Sequence, residues 1–156
     1  MSFVLEKSLL HRRTLCNLAD TQNLASQIAD ILVKGDVLAL NGDLGTGKTT
    51  FARNLIRARA NTDKIKLGPI PSPTFTLVQQ YDLPSGAIFH FDLYRISDSS
   101  EIWELGIEDA FIFGISIIEW ADRADRMLPE NTIRINFSFG QKDTIREVEI
   151  SRCGGV

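Results

Sequence analysis

The chain has 156 residues, 44% of them hydrophobic, and its 17 basic and 20 acidic side chains leave a formal net charge of −3. That length and apolar content suit one compact domain spanning residues 1–156 with an ordinary core, and the scattered basic residues exclude the strong positive field of a stand-alone nucleic-acid binder. Cys16 and Cys153 are too few for a disulfide framework and lie in no metal-ligand spacing, Glu6 and Lys7 interrupt the apolar start where a signal peptide would need its core, and the longest apolar run, residues 110–118, is too short to cross a bilayer, so the expectation is a cytoplasmic setting with no membrane contact.

Residues 14–18 alternate like an edge strand, and Asp20 is placed to cap a helix carrying Leu24, Ala25, Ile28, Ala29 and Leu32 on one face, stopped by Gly35. Residues 37–40 form a short apolar run suited to a buried strand. From residue 50 onward Phe51, Leu55 and Ala58 recur at helical spacing.

Between that strand and that helix stands Gly42-Asp43-Leu44-Gly45-Thr46-Gly47-Lys48-Thr49, the pattern G-x-x-x-x-G-K-[ST]. Its glycines let successive backbone N–H groups converge on phosphate oxygens, Lys48 adds a point charge, Thr49 offers a hydroxyl to magnesium, and the helix dipole points at the anion. The pattern fixes only four positions, so the flanking strand and helix decide the reading. Asp43, Leu44, Gly45, Thr46, Gly47, Lys48, Thr49 and Thr50 are the expected nucleotide-binding residues.

Residues 61–73 read as a loop rich in Gly, Pro and Lys. Strands at 75–81 and 87–94 then form a hairpin through Pro84-Ser85-Gly86. At the loop's end, in Ser72-Pro73-Thr74-Phe75-Thr76-Leu77, Thr74 is the candidate hydroxyl for sensing a γ-phosphate; the same residues suit any turn entering a strand. In His90-Phe91-Asp92-Leu93-Tyr94-Arg95 a period of two puts His90, Asp92 and Tyr94 opposite Phe89, Phe91 and Leu93. Asp92 is either a site carboxylate or part of the wet side of an amphipathic strand. A short helix at 100–105, a strand at 115–120, a short helix at 121–127 and strands at 132–139 and 144–150 complete an α/β domain with a mixed sheet. Glu119 ends the 115–120 strand, where a phosphate-loop protein places its second magnesium-orienting acid. Its role is open between metal ligand and general base, against the plainer reading of a solvated acid closing an edge strand.

Taken together, the segments at 42–50, 72–77 and 90–95, with Glu119-Trp120, resemble the TsaE (YjeE) family of small bacterial phosphate-loop ATPases. The phosphate loop is shared by many families; H-x-D-L-Y-R followed by a strand ending in E-W is much more specific. The resemblance implies a three-layer P-loop fold and an ATPase, binding ATP or ADP with Mg2+, in the machinery that installs threonylcarbamoyladenosine (t6A) in tRNAs reading codons that begin with adenine. It implies TsaD and TsaB homologues as partners, with tRNA met only through their complex. Carried over by position, Lys48 holds phosphates, Thr49 and Glu119 hold magnesium, Thr74 and Asp92 join Glu119 in the hydrolytic or switching apparatus, Trp120 shapes the site, and the adenine pocket falls near residues 18–21. Residues 64–71 depart from the family pattern in length and in Pro71. A small-molecule kinase is the main alternative, for which Arg123 and Arg126 are the one candidate clamp pair; a binding module without turnover is another. A GTPase is disfavoured because the chain has no N-K-x-D phrase.

Overall fold

The computed structural model describes residues 10–152, so the readings of the first nine residues and of Cys153 lie outside it. Seven strands form one sheet in the order β1-β7-β6-β2-β5-β4-β3. They are β1 (Leu10–Leu15), β2 (Val37–Asn41), β3 (Val78–Leu83), β4 (Gly86–Asp92), β5 (Gly114–Glu119), β6 (Ile133–Phe139) and β7 (Arg146–Arg152). The four central strands run parallel, and β3, β7 and β1 add antiparallel pairings at the two edges. This is the expected mixed sheet. Helices cover both of its sides: α1 (Leu18–Ile31) and α2 (Lys48–Thr62) on one, α3 (Ser99–Glu104), α4 (Ile107–Phe113) and a 3-10 helix (Ala121–Met127) on the other.

Strand β2 shows why the parallel centre reads as an unbroken apolar run. Leu38 and Leu40 pack towards α1 and α2, Val37 and Ala39 towards α4 and the 3-10 helix, and all four are buried. Helix α2 buries Phe51, Ala52, Leu55, Ile56 and Ala60. Each large side chain among them stabilises by roughly 1.5–3 kcal/mol, so packing against the sheet fixes this Arg- and Asn-rich helix and with it the loop at its start.

Several boundaries differ from the sequence reading for identifiable reasons. The first strand begins and ends earlier, because Asn17 rather than Asp20 caps α1. The Asn17 side chain accepts the Asp20 N–H at 2.9 Å, and Asp20, inside the first turn, accepts the Cys16 N–H at 2.8 Å. Helix α1 stops at Ile31, short of Gly35, and α2 begins at Lys48 with Ala58 only half-buried. Strand β3 starts three residues late because Leu77, at φ 69°, closes a turn on Pro73. Helix α4 was not expected at all; it occupies the front of the apolar run that continues into β5.

A candidate phosphate-binding active site

Six residues, 42–47, connect β2 to α2. Gly42 has φ 146°, and a Cβ there would meet the Phe137 carbonyl oxygen at 2.5 Å, so both backbone conformation and space require glycine. Gly45 and Gly47 are also left-handed, at φ 81° and 108°. The Thr46 hydroxyl closes the loop on Asp43 O at 2.7 Å. Lys48, at the first position of α2, folds back so that Nζ donates to Gly42 O and, at 3.0 Å, to Asp43 O, and it lies 4.1 Å from the centre of the Trp120 ring. Burial pulls the Lys48 ammonium below its ordinary pKa; the negative charges of Glu119, Asp92, Asp43 and Asp122 oppose that shift without overcoming it.

The parallel pairing of β4 with β5 sets Asp92 beside Glu119 at the carboxyl ends of both strands, next to the loop. Glu119 is 1% exposed and β5 lies in the middle of the sheet, which removes the reading of a solvated acid on an edge strand. Its Oε1 accepts the Thr49 hydroxyl at 2.5 Å, and its Oε2 is 2.7 Å from His90 Nε2. Asp92 is equally enclosed, at 3% exposure. It accepts the Thr74 hydroxyl at 2.9 Å on one oxygen and the Tyr94 N–H at 2.9 Å on the other, while Ser72 Oγ stands 2.8 Å from Thr74 Oγ1. The polar side of β4 is therefore a buried hydrogen-bonded cluster rather than a wet face.

Lys48, Thr49, Thr74, Asp92, Glu119 and Trp120 line one cleft of about 270 Å³. A second cavity of about 630 Å³ lies across the loop, with Asn17, Leu18 and Thr21 on one wall and Phe137 and Arg146 on another. Among the described residues no group of three or more His, Cys, Asp or Glu forms a metal cage. The oxygen donors Thr49 and Glu119 instead suit an ion such as Mg2+, which keeps waters and takes one or two protein ligands beside phosphate oxygens.

This strand-loop-helix with buried acids on the neighbouring strands occurs in a chain whose residues 15–148 match the family model "Threonylcarbamoyl adenosine biosynthesis protein TsaE". The chain belongs to the TsaE family. The protein named tRNA threonylcarbamoyladenosine biosynthesis protein TsaE from Rickettsia bellii is 38% identical over 86% of this chain and 92% of its own length, and its namesake from Rickettsia typhi is 40% identical over 81% and 85%. The crystal structure of Bacillus subtilis YdiB superposes with a TM-score of 0.75 at 27% identity, covering 96% of this chain and 89% of that one.

Within this TsaE-family site the structure also supplies residues that the sequence reading did not assign. His90 was placed on a strand face and in the H-x-D-L-Y-R phrase but given no role, yet it is fully buried against Glu119. Arg146 of β7 donates to Gly45 O at 3.3 Å and packs on the Phe139 ring, bringing a cation to the loop from 101 residues away. No motif marked it, because the contact depends on β7 folding back beside β6. Arg123 donates to Ile96 O at 2.6 Å, so its guanidinium is held by the backbone rather than presented as a clamp. Among the described residues no helix is long and apolar enough to cross a membrane.

Proposed function

We propose that this TsaE-family chain is the ATP-binding and ATP-hydrolysing component of t6A biosynthesis, acting with TsaD and TsaB homologues and meeting tRNA only through their complex. The observation that carries the reading is the contact of Thr49 with Glu119 beneath the phosphate loop, two oxygen donors from different elements converging beside Lys48. The backbone N–H groups of residues 43–49 cradle the phosphates, and Lys48 exchanges the carbonyls of Gly42 and Asp43 for phosphate oxygens. Thr49 and Glu119 would hold magnesium, which would supply charge neutralisation at the phosphates. Asp92 and Thr74 orient the attacking water, whose oxygen bonds to the γ-phosphorus as the bond to the β–γ bridging oxygen breaks. The cavity beside Asn17, Leu18 and Thr21 receives the adenine.

Both Asp92 oxygens and both Glu119 oxygens are already engaged, and the Arg95 guanidinium, which lies next to the Thr74 segment, is stacked 4.9 Å from the centre of the Phe75 ring and does not line the cleft. Slow intrinsic turnover follows, and a partner supplies the missing charge stabilisation, an effect worth on the order of a thousandfold or more. Phosphate release from Mg-ATP, measured with the protein alone and with purified TsaB and TsaD homologues, tests the proposal. Stimulation by the partner complex is the expected result; turnover that is fast alone and indifferent to partners would reject it.

A further inference from the structure

We propose that His90 is the positioning residue for Glu119, holding one carboxylate oxygen in the sheet so that the other alone faces Thr49 and the nucleotide. The inference rests on the ATPase reading and assigns a role to a side chain that the reading itself does not use. His90 pairs with Ile117 in the parallel register, two residues behind Glu119, so its ring lies deeper in the sheet than the carboxylate it meets. The ring is 0% exposed, and its Nε2 is 2.7 Å from Glu119 Oε2. Its Nδ1 is buried and meets no hydrogen-bonding partner among the described residues. A proton on Nε2 satisfies the short contact. The other tautomer would set two lone pairs against each other there and bury an N–H without an acceptor.

Glu119 is thus fixed at both oxygens by elements on either side of it, Oε2 by β4 and Oε1 by α2. This explains the use of glutamate where aspartate is the commoner choice: the additional methylene lets the head group turn back to His90 while still reaching Thr49. Partners that orient a metal-ligating group in this way typically contribute 10–100-fold to metal affinity or activity.

The test compares His90→Leu, which keeps apolar bulk and removes the donor, with His90→Gln, whose amide nitrogen can replace Nε2. ATP affinity is measured by calorimetry in EDTA and across a Mg2+ titration, alongside phosphate release. The expected result is that His90→Leu needs about 10–100-fold more Mg2+ for half-maximal enhancement of ATP binding, keeps its affinity in EDTA, and loses turnover in parallel, with His90→Gln recovering most of both. Unchanged Mg2+ dependence in His90→Leu, equal losses in both variants, or equal losses with and without Mg2+ would overturn the role. An unaltered protein that shows no Mg2+-dependent ATP binding rejects the ATPase reading itself. Should His90→Leu not fold, the 15N–1H histidine spectrum of the unaltered protein decides: a protected proton on Nε2 supports the inference, and one on Nδ1 overturns it. The chain has two histidines, and His90→Gln identifies the signal.

Discussion

Thr74 Oγ1 donates to Asp92 Oδ2 at 2.9 Å, and this bond joins the connection that precedes β3 to the end of β4 at the mouth of the cleft. Thr74→Val keeps the side chain's shape and removes the donor, so it is expected to lower phosphate release about 100-fold, the lower end of the range for a lost proton-transfer contact, and to leave ATP affinity within a few-fold. Thr74→Ser should retain most of the rate. Steady-state assays with partners present check this; equal loss in Val and Ser variants would assign Thr74 to packing instead.

Lys48 yields a prediction with a sign. Because burial lowers its pKa from 10.5 in the folded protein, the charged form costs stability at neutral pH, and that cost is relieved as pH rises from the folded-state value towards 10.5. Lys48→Met removes it. Without nucleotide the parent should gain stability relative to the variant as pH rises towards 10.5, whatever the offset at pH 7 from the lost bonds to Gly42 O and Asp43 O, while calorimetry shows ATP and ADP affinity largely lost. A stability difference that does not move with pH in this range, or unchanged affinity, contradicts this account.

On the proposed ATPase reading Glu119 acts on magnesium and Asp92 on the attacking water, so Glu119→Gln and Asp92→Asn remove charges whose effect is greatest in the transition state. Asp92→Asn should preserve much of the nucleotide affinity, Glu119→Gln should do so in EDTA and at saturating Mg2+ while needing more Mg2+ to reach it, and both should depress hydrolysis, the pattern of an interaction made mainly in the transition state. Parental hydrolysis rates in both variants, measured with partners present, would remove these residues from the chemistry.

What the sequence made legible follows from how local each requirement is. The phosphate loop was readable because left-handed glycines and a lysine at fixed spacing impose one backbone shape, and β2 because burial on both faces needs an uninterrupted apolar run. Helix α4 was hidden because residues 107–118 stay mostly apolar through helix and strand alike. Its boundary falls at Gly114, where a Cβ would meet Ala87 O at 2.5 Å, a requirement set by a neighbouring strand. The bracketing glycines Gly106 and Gly114, with Glu108 and Asp109 in the first turn, were the available signal. The cap of α1 was misplaced by three residues because Asn17 and Asp20 are both capping types and only their reciprocal bonds distinguish them. The contact between His90 and Glu119 joins residues 29 apart through parallel register, which one-dimensional spacing does not carry.

Gly42→Ala should be more damaging than its size suggests. The new methyl would stand 2.5 Å from Phe137 O and 2.8 Å from Thr46 Oγ1, at a φ that side chains avoid. Strain of this kind costs about 1–3 kcal/mol, and relief requires the loop to move away from β6. Lower thermal stability together with weakened nucleotide binding is expected; parental values in both measurements would mean the loop tolerates displacement there.

The connection leading to Thr74 is anchored by the same helix that begins at the phosphate site. Arg53 Nε donates to Ile70 O at 2.8 Å, Arg57 donates to Leu67 O at 3.4 Å, and Ile70 packs into the core. Arg53, five positions after Lys48 in α2, therefore holds the Thr74 segment in place. Arg53→Ala removes the anchor without touching a phosphate-binding residue, so the segment from residue 70 to 77 should open more often. Faster amide exchange there is expected, with phosphate release reduced because the Thr74–Asp92 bond forms less of the time, and ATP affinity held within a few-fold because the glycine loop is unaltered. Hydrogen exchange measured beside steady-state turnover separates the links. Faster exchange with undiminished turnover would break the connection from this segment to chemistry, and unchanged exchange would show that the Ile70 side chain, rather than the arginine, holds it down.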